Sequence, residues 1–310
     1  MPLWVAFDLD ATIGCFESVH NYITLFAPWL LQEIYQAPYW RGPAQPVVAV
    51  DEKMKPALFM AFRAFVAKMA SFEKENRLLR PGIIPIIERL LAAKKAGRVG
   101  GLMIYSNNSS RHMLIFAHEL LKAVMGLKED IFCPLVDWWH GVRDDECRKV
   151  ADASLGYGLK TVNTIQRSFI MAALQERCGY GVLDRKKVSA ENIVFFDDLI
   201  HPEIYGHIPR AQYFHVQPYK RYIGSGHLMH QAFYEAYEEF GLNGSAALIG
   251  QFWKLGFDLR TKQAGFTTIK RTQPSGAETA VDDGPELLRR VNALLGPAGG
   301  KRQTRKHSRN

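Results

Sequence analysis

Two aspartates, one residue apart, directly follow a short apolar run near the start of the chain. The run is Trp4-Val5-Ala6-Phe7, and it leads into Asp8 and Asp10. Such a run predicts a short strand buried on both faces, so its carboxylates must lie at the strand end, where water or a cation stabilises them. Their spacing points both aspartates the same way, with Leu9 opposed. Two like charges so close favour a counter-ion, and oxygen ligands suit Mg²⁺.

Two later segments repeat this pattern of a buried strand that ends in polar residues. Gly101 and the apolar residues 102–105 are followed by Ser106, whose hydroxyl and backbone N–H could bind a phosphate oxygen at the start of the next helix. Residues 192–196 lead into Asp197 and Asp198. Three such strands predict an α/β fold with a mostly parallel sheet and a site at its carboxyl edge.

Each segment also has a simpler structural interpretation. Asp8 and Asp10 could belong to an acidic loop that follows a strand, without any bound ion. Asp198 could cap the amino end of a helix, with Asp197 solvated beside it. The recurrence of polar residues after three separate strands favours a shared site over these alternatives.

These residues, in this order, resemble the four motifs of the haloacid dehalogenase superfamily of phosphotransferases. The matching positions are Asp8, Asp10 and Thr12 in the first motif, Ser106 in the second, Lys160 in the third, and Asp197 and Asp198 in the fourth. The resemblance covers residues 1–14 and 79–220. It implies a doubly wound, Rossmann-like core with a helical insert after the first strand and a helical carboxyl-terminal extension.

The resemblance also implies a Mg²⁺-dependent phosphatase. Asp8 would attack phosphorus and form an aspartyl-phosphate, and Asp10 would act as general acid and base. The implied metal ligands are the carboxylates of Asp8 and Asp197, the carbonyl of Asp10, and Asp198 directly or through water. The implied phosphate-binding residues are Thr12, Ser106, Asn107 and Lys160.

Within the superfamily, the chain is most similar to phosphatases of the NLI-interacting-factor type, which act on the carboxyl-terminal domain of RNA polymerase II and have homologues in large DNA viruses. It departs from them at Ala11 and Ile13, where those proteins usually carry Glu and Leu. A phosphoprotein substrate is therefore one expectation, and a nucleotide or nucleic-acid end is another. An inactive binding or virion-associated protein of the same fold is the non-enzymatic alternative.

Lys160 precedes a helix predicted to run to about Glu176. A lysine at a helix start is unfavourable for the helix dipole, which indicates a role other than helix stability. Arg148, Lys149 and Arg167 compete with Lys160 for the same role.

Residues 15–78 form an insert that we predict to be largely helical, with a Pro-rich break at Pro38–Pro46. Apolar residues recur at helical spacing within Lys53–Asn76. The insert occupies the place where superfamily members carry a cap over the active site. It could act as such a cap, which would favour small substrates, or as a packing layer without a gating role.

The carboxyl-terminal part divides into an extension at 221–270 and a segment at 271–310. Helices are predicted at His227–Phe240 and Ala246–Leu255, and a linker at 271–284. A short docking helix is predicted at Pro285–Leu295, on a stripe formed by Leu287, Leu288, Val291, Leu294 and Leu295. The tail at 301–309 supplies five positive charges of the formal +8 and predicts a disordered segment. It could contact nucleic acid, act as a nuclear-import signal, or be a solvated tail without a partner.

With 310 residues, 47% of them hydrophobic, the chain is long enough for a full α/β core and an appended domain. It has no apolar run of about 18 residues, so we expect no membrane span, and we expect no signal peptide. Cys15, Cys133, Cys147 and Cys178 are scattered, which favours reduced thiols in a cytoplasmic or nuclear protein, or in a virion.

Overall fold

The structure, a computed structural model, describes residues 1–16, 19–24, 26, 52–73, 78–107, 111–136, 160–174, 178–219, 226–242 and 283–296. Its strands are β1 (Leu3–Phe7), β2 (Val99–Tyr105), β3 (Leu135–Val136), β4 (Ile193–Asp197) and β5 (Tyr213–His215). They form one sheet in the order β3-β2-β1-β4-β5, and all four neighbouring pairs are parallel. The predicted doubly wound α/β fold is confirmed.

Helices cover both faces of this sheet. They are α1 (His20–Thr24), α2 (Lys55–Ser71), α3 (Ile83–Lys95), α4 (Arg111–Met125), α5 (Val162–Leu174), α6 (Pro202–Tyr205), α7 (Gly226–Glu239) and α8 (Gly284–Leu295). Alternation along β1 divides the core into two clusters. Val5 and Phe7 pack in the cluster that includes residues of α1 to α4, α7 and α8, whereas Trp4 and Ala6 pack in the cluster that includes residues of α5 and α6.

Aromatic side chains align the strands that carry the later site. Phe7, Phe196 and Phe214 come from β1, β4 and β5, and they stack with centroid separations of 4.3 Å in both neighbouring pairs. The backbone register pairs Phe7 with Phe196 and Phe196 with Phe214, so the stack follows the ladder. Because Asp8 and Asp197 come next in their chains, this register brings both to the same sheet edge.

The described part of the 15–78 insert packs into the core rather than standing apart from it. Phe62 and Phe65 of α2 are buried, and α2 contacts α4 and α7. Phe26 and Phe233 join them in one group of aromatic rings. The described insert helices α1 and α2 therefore contribute to the core, and the choice between a cap and a packing layer stays a prediction. Outside the described residues lie 27–51 of the insert, 137–159, all of 243–282 with its predicted helix Ala246–Leu255, and the basic tail.

The predicted docking helix is confirmed as α8. Its Leu287, Val291 and Leu295 are buried in the main core cluster, and Leu288 and Leu294 pack against that cluster. Arg89 of α3 adds polar contacts, because its guanidinium donates to Asn292 Oδ1 at 2.6 Å and to the Gly296 carbonyl at 2.7 Å.

The expectation of reduced thiols is wrong for Cys133 and Cys178, which form a disulfide with Cα atoms 5.6 Å apart. Helix α5 begins at the carboxyl edge of the sheet and runs towards the amino edge. Cys178, four residues after the end of α5, therefore comes close to Cys133, which lies just before β3. A separation of 45 residues carries no local pairing signal. Cys15 lies outside this disulfide and is half-buried.

None of the helices in the described ranges is both long enough and apolar enough to span a membrane.

Buried His118 makes stability depend on pH. Its Nε2 accepts backbone N–H bonds from Ile131 at 3.0 Å and Phe132 at 3.4 Å, and burial lowers its pKa from 6.5 to about 4. Between these values the unfolded chain binds a proton that the folded protein does not, so stability falls as pH falls. Between the two pKa values, this group alone lowers the free energy of unfolding by up to about 1.4 kcal/mol for each unit that the pH falls. The free energy of unfolding, measured in urea at several pH values from 7.5 to 5, should fall less steeply with pH in His118→Gln than in wild type. An equal pH dependence in the two proteins would contradict the role of His118.

Candidate active site

Three carboxylates from two neighbouring strand ends meet at the carboxyl edge of the sheet. Asp8 follows β1, Asp197 is the last residue of β4, and Asp198 follows it. The Asp8 backbone N–H donates to the Phe196 carbonyl at 2.8 Å, which continues the ladder between β1 and β4. One oxygen from each of the three carboxylates lies within 4.8 Å of the other two. We call these three residues the acid cluster.

Lys160 lies in direct contact with the acid cluster. Its Nζ is 2.5 Å from Asp8 Oδ1 and 2.6 Å from Asp197 Oδ2, and its side chain is 2% exposed. Lys160 lies two residues before the first residue of α5, so the helix start is at the same sheet edge as the acids. Of its competitors, Arg167 is an exposed residue of α5, and Arg148 and Lys149 lie outside the described residues.

The charges at this edge shift one another's pKa. Burial, against the opposing charge of Lys160, raises the pKa of Asp8 to about 7, and the charges of Asp197 and Asp10 add to the rise. Burial would lower the pKa of Lys160, but Asp8 and Asp197 outweigh it and raise that pKa. Burial and the Asp197 charge raise the pKa of Asp198. Three carboxylates face one ammonium, so the site retains negative charge that a cation would stabilise.

His201, which the sequence analysis did not select, lies beside the acid cluster. Its Nε2 is 3.2 Å from Asp197 Oδ2. Burial alone would raise the pKa of Asp197, but His201 and Lys160 hold it below its ordinary value. The signal in the sequence was the spacing of four residues between Asp197 and His201 at the start of α6.

The remaining residues selected from the sequence lie around the cluster in different ways. Thr12 is buried, and its hydroxyl donates to Asp198 Oδ1 at 3.3 Å. Asp10 is half-buried, and among the described residues its carboxylate is not part of the acid cluster, although its charge acts on Asp8. Asn107 is half-buried directly after Ser106.

Ser106 is buried at the end of β2, but its backbone N–H is not available to a phosphate. That N–H donates to the Val136 carbonyl at 2.9 Å, because the pairing between β2 and β3 continues one residue beyond Tyr105. The expectation that both groups of Ser106 could bind phosphate is therefore wrong for the N–H. The hydroxyl stays the candidate.

The chain turns sharply after Asp8, over the segment Asp8–Gly14. Ile13 N–H donates to the Leu9 carbonyl at 2.9 Å, and Ala11 N–H donates to the Gly14 carbonyl at 2.8 Å. Ala11 has a φ of 57°, a left-handed conformation that is uncommon for a residue with a Cβ. Such a conformation persists where surrounding contacts hold it.

Arg80 supplies contacts that hold this turn. It is 3% exposed, and its Nε and Nη2 donate to the carbonyls of Thr12 at 2.7 Å and Ala11 at 2.6 Å. The segment that carries Arg80 reaches the turn through a bridge between Gly14 and Leu79. The signal in the sequence was a charged residue between Leu79 and Pro81.

The acid cluster fits a divalent cation that prefers oxygen ligands. Two oxygens on one Mg²⁺ lie at most about 4.2 Å apart, twice the metal–oxygen distance, so a spread within 4.8 Å needs only a small adjustment. A second acidic group, formed by His118, Glu119 and Asp130, does not fit. There His118 Nε2 accepts backbone N–H groups of Ile131 and Phe132, so its lone pair is already used and is not available to a metal.

The fold and the acid cluster define an α/β protein with a charged site at the carboxyl edge of a parallel sheet. No protein-family model, curated protein or solved structure matches the chain.

Removal of Lys160 tests the charge balance. In EDTA at pH 8, Lys160→Met should lower the free energy of unfolding by about 3 kcal/mol or more, because it leaves buried carboxylates without their partner. The loss should be smaller at pH 5.5, where Asp8 is protonated in both proteins, and smaller with Mg²⁺ present. Urea unfolding measures each value. Lys186→Met, at an exposed lysine, is the control; equal losses in both variants at both pH values would contradict this account.

Proposed function

We propose that the protein is a Mg²⁺-dependent phosphomonoesterase of the haloacid dehalogenase type, with Asp8 as nucleophile. The observation that carries the proposal is the acid cluster with Lys160 in contact at the strand ends. The order of these residues along the chain, together with Thr12 and Ser106, matches the motif order of that superfamily. A carboxylate nucleophile beside a buried ammonium is suited to attack on phosphorus.

In this mechanism Asp8 Oδ1 stays paired with Lys160 while Oδ2 attacks phosphorus. The new bond joins Asp8 to phosphorus, and the bond from phosphorus to the ester oxygen breaks. Asp10 donates a proton to the departing oxygen as general acid. Asp10 then removes a proton from water, whose oxygen attacks phosphorus and releases Asp8 and inorganic phosphate.

The other side chains bind and orient the phosphoryl group. Asp8, Asp197, Asp198 and the Asp10 carbonyl would hold Mg²⁺, which when bound neutralises charge that develops on the phosphoryl oxygens. Lys160 opposes the rise in the Asp8 pKa that burial causes, so it favours the ionised nucleophile, and it lies close enough to contact a phosphoryl oxygen. The hydroxyls of Thr12 and Ser106 and the amide of Asn107 supply neutral donors.

Similarity to polymerase-tail phosphatases favours a phosphoprotein as the substrate. The described insert helices support this choice, because they pack into the core on one face of the sheet. A nucleotide or nucleic-acid end is the alternative, favoured by the basic charges at 301–309. An inactive binding protein has little use for three clustered carboxylates, two of them buried.

Asp8→Asn should reduce Mg²⁺-dependent hydrolysis of a generic aryl phosphate by a factor of about 10³ or more, because it removes the nucleophile. Asp10→Asn should reduce turnover and let a phosphorylated protein accumulate, detectable by mass spectrometry in acid-quenched samples. Asp184→Asn is the matched control. Asp184 is an exposed residue before β4, and its Oδ1 accepts the backbone N–H groups of Lys186 and Lys187. Unchanged turnover in a folded Asp8→Asn protein would refute the assignment.

A substrate panel distinguishes the classes. We expect phosphopeptides to be hydrolysed with a higher kcat/KM than nucleotides or 3′-phosphorylated oligonucleotides, and the reverse order would favour the nucleic-acid alternative. Deletion of residues 300–310 should leave phosphopeptide turnover unchanged and remove any salt-sensitive binding to nucleic acid, because that binding scales with the positive charges lost.

A further inference from the structure

We propose that Arg80 and Asp283 are positioning residues for the Asp8–Gly14 turn, so that α8 serves the active site although none of its described residues belongs to the acid cluster. This inference rests on the proposed phosphatase function. It extends that function, because the active site then also requires two residues that belong to none of the four motifs.

The guanidinium of Arg80 joins three separate segments. Nε donates to the Thr12 carbonyl at 2.7 Å, and Nη2 donates to the Ala11 carbonyl at 2.6 Å and to the Gln217 carbonyl. Nη1 donates to Asp283 Oδ1 at 2.6 Å. The turn after β1, the chain after β5 and the start of α8 therefore share one buried cation.

Asp283 supplies the counter-charge that this burial requires. The side chain of Arg80 is only 2% exposed, whereas that of Asp283 is 16% exposed. A buried charge without a partner is costly, and a hydrogen-bonded carboxylate offsets that cost. The second oxygen of Asp283 accepts the Gln217 N–H at 3.1 Å, so the carboxylate also fixes the chain that Arg80 contacts.

These contacts fix the two peptide planes on either side of Thr12. The Ala11 carbonyl belongs to the plane before Thr12, and the Thr12 carbonyl belongs to the plane after it; Arg80 donates to both. Tyr219 N–H adds a bond to the Ala11 carbonyl at 2.8 Å. The direction of the Thr12 hydroxyl towards Asp198 and the left-handed Ala11, next to Asp10, therefore depend on this arrangement.

Close backbone contact sets Asp283 beside Arg80. Gly82, two residues after Arg80, has a φ of 78°, and a Cβ placed there would lie 2.5 Å from the Cα of Gly284. The starts of α3 and α8 therefore approach more closely than side chains would allow. Asp283 immediately precedes Gly284 and is held within reach of the guanidinium.

The chain offers a matched control at the other end of the same two helices. Arg89 joins α3 to α8 through Asn292 Oδ1 and the Gly296 carbonyl, and neither of these bonds reaches the Asp8–Gly14 turn. Loss of Arg89 weakens the docking of α8, whereas loss of Asp283 weakens the docking and also frees Arg80. A purely structural role would make the two variants equivalent.

The experiment compares Asp283→Ala, Asp283→Glu and Arg89→Gln in the full chain, with an aryl phosphate and Mg²⁺. We expect Asp283→Ala to lower kcat by about tenfold or more, since small displacements of catalytic groups have effects up to about 100-fold, with less change in KM. Asp283→Glu should restore part of kcat, and Arg89→Gln should leave it near wild type. If Asp283→Ala does not fold, Asp283→Asn replaces it.

Hydrogen exchange separates this inference from the proposed function. The amides of Ala11, Ile13 and Gly14 are hydrogen-bonded within the turn, so they should exchange faster in Asp283→Ala than in wild type or Arg89→Gln, whether or not the protein hydrolyses phosphate esters. An inactive wild type that shows this exchange pattern would refute the phosphatase and support the positioning role. Equal effects of Asp283→Ala and Arg89→Gln on exchange and kcat would overturn the positioning role.

Discussion

The ammonium of Lys160, held between the carboxylates of Asp8 and Asp197, is the interaction on which the rest of the site depends. Carboxylates at the ends of two adjacent buried strands repel one another, and burial makes their ionised forms costly. Lys160 offsets both effects, at 2.5 Å and 2.6 Å from the two oxygens. The same contact locates the start of α5, because the lysine must reach the carboxyl edge of the sheet. The net negative charge that remains makes the site attractive to a divalent cation.

The two-sided core explains why this edge is rigid enough to hold such charges. Alternating residues of β1 enter two hydrophobic clusters, and aromatic rings of β1, β4 and β5 stack in register across the sheet. The strand ends are therefore fixed relative to one another by apolar packing, and the polar groups follow from that register. Arg80 extends the same rigidity to the turn after β1, and it brings the distant α8 into the support of that turn.

Much of the fold and part of the site could be predicted from local patterns. The apolar runs before Asp8, Ser106 and Asp197 predicted the three central strands, and the stripe on α8 predicted its docking face. Other features depended on partners far along the chain. The N–H of Ser106 is used by the β2–β3 ladder, Cys133 pairs with Cys178, and Arg80 and His201 contact the site region, none of which has a periodic signal.

The amino-acid sequence alone determined which segments become buried strands, where their carboxylates emerge and which helix face is apolar, because burial and direction follow from short repeats of two or 3.6 residues. The tertiary structure alone decided which cation neutralises the acids and which carbonyls of the turn are held. Those choices depend on the distance between groups separated by 152 residues for Lys160 and Asp8, and by 203 residues for Arg80 and Asp283. Electrostatic and hydrogen-bond energies depend on such distances, and a local repeat contains no information about them.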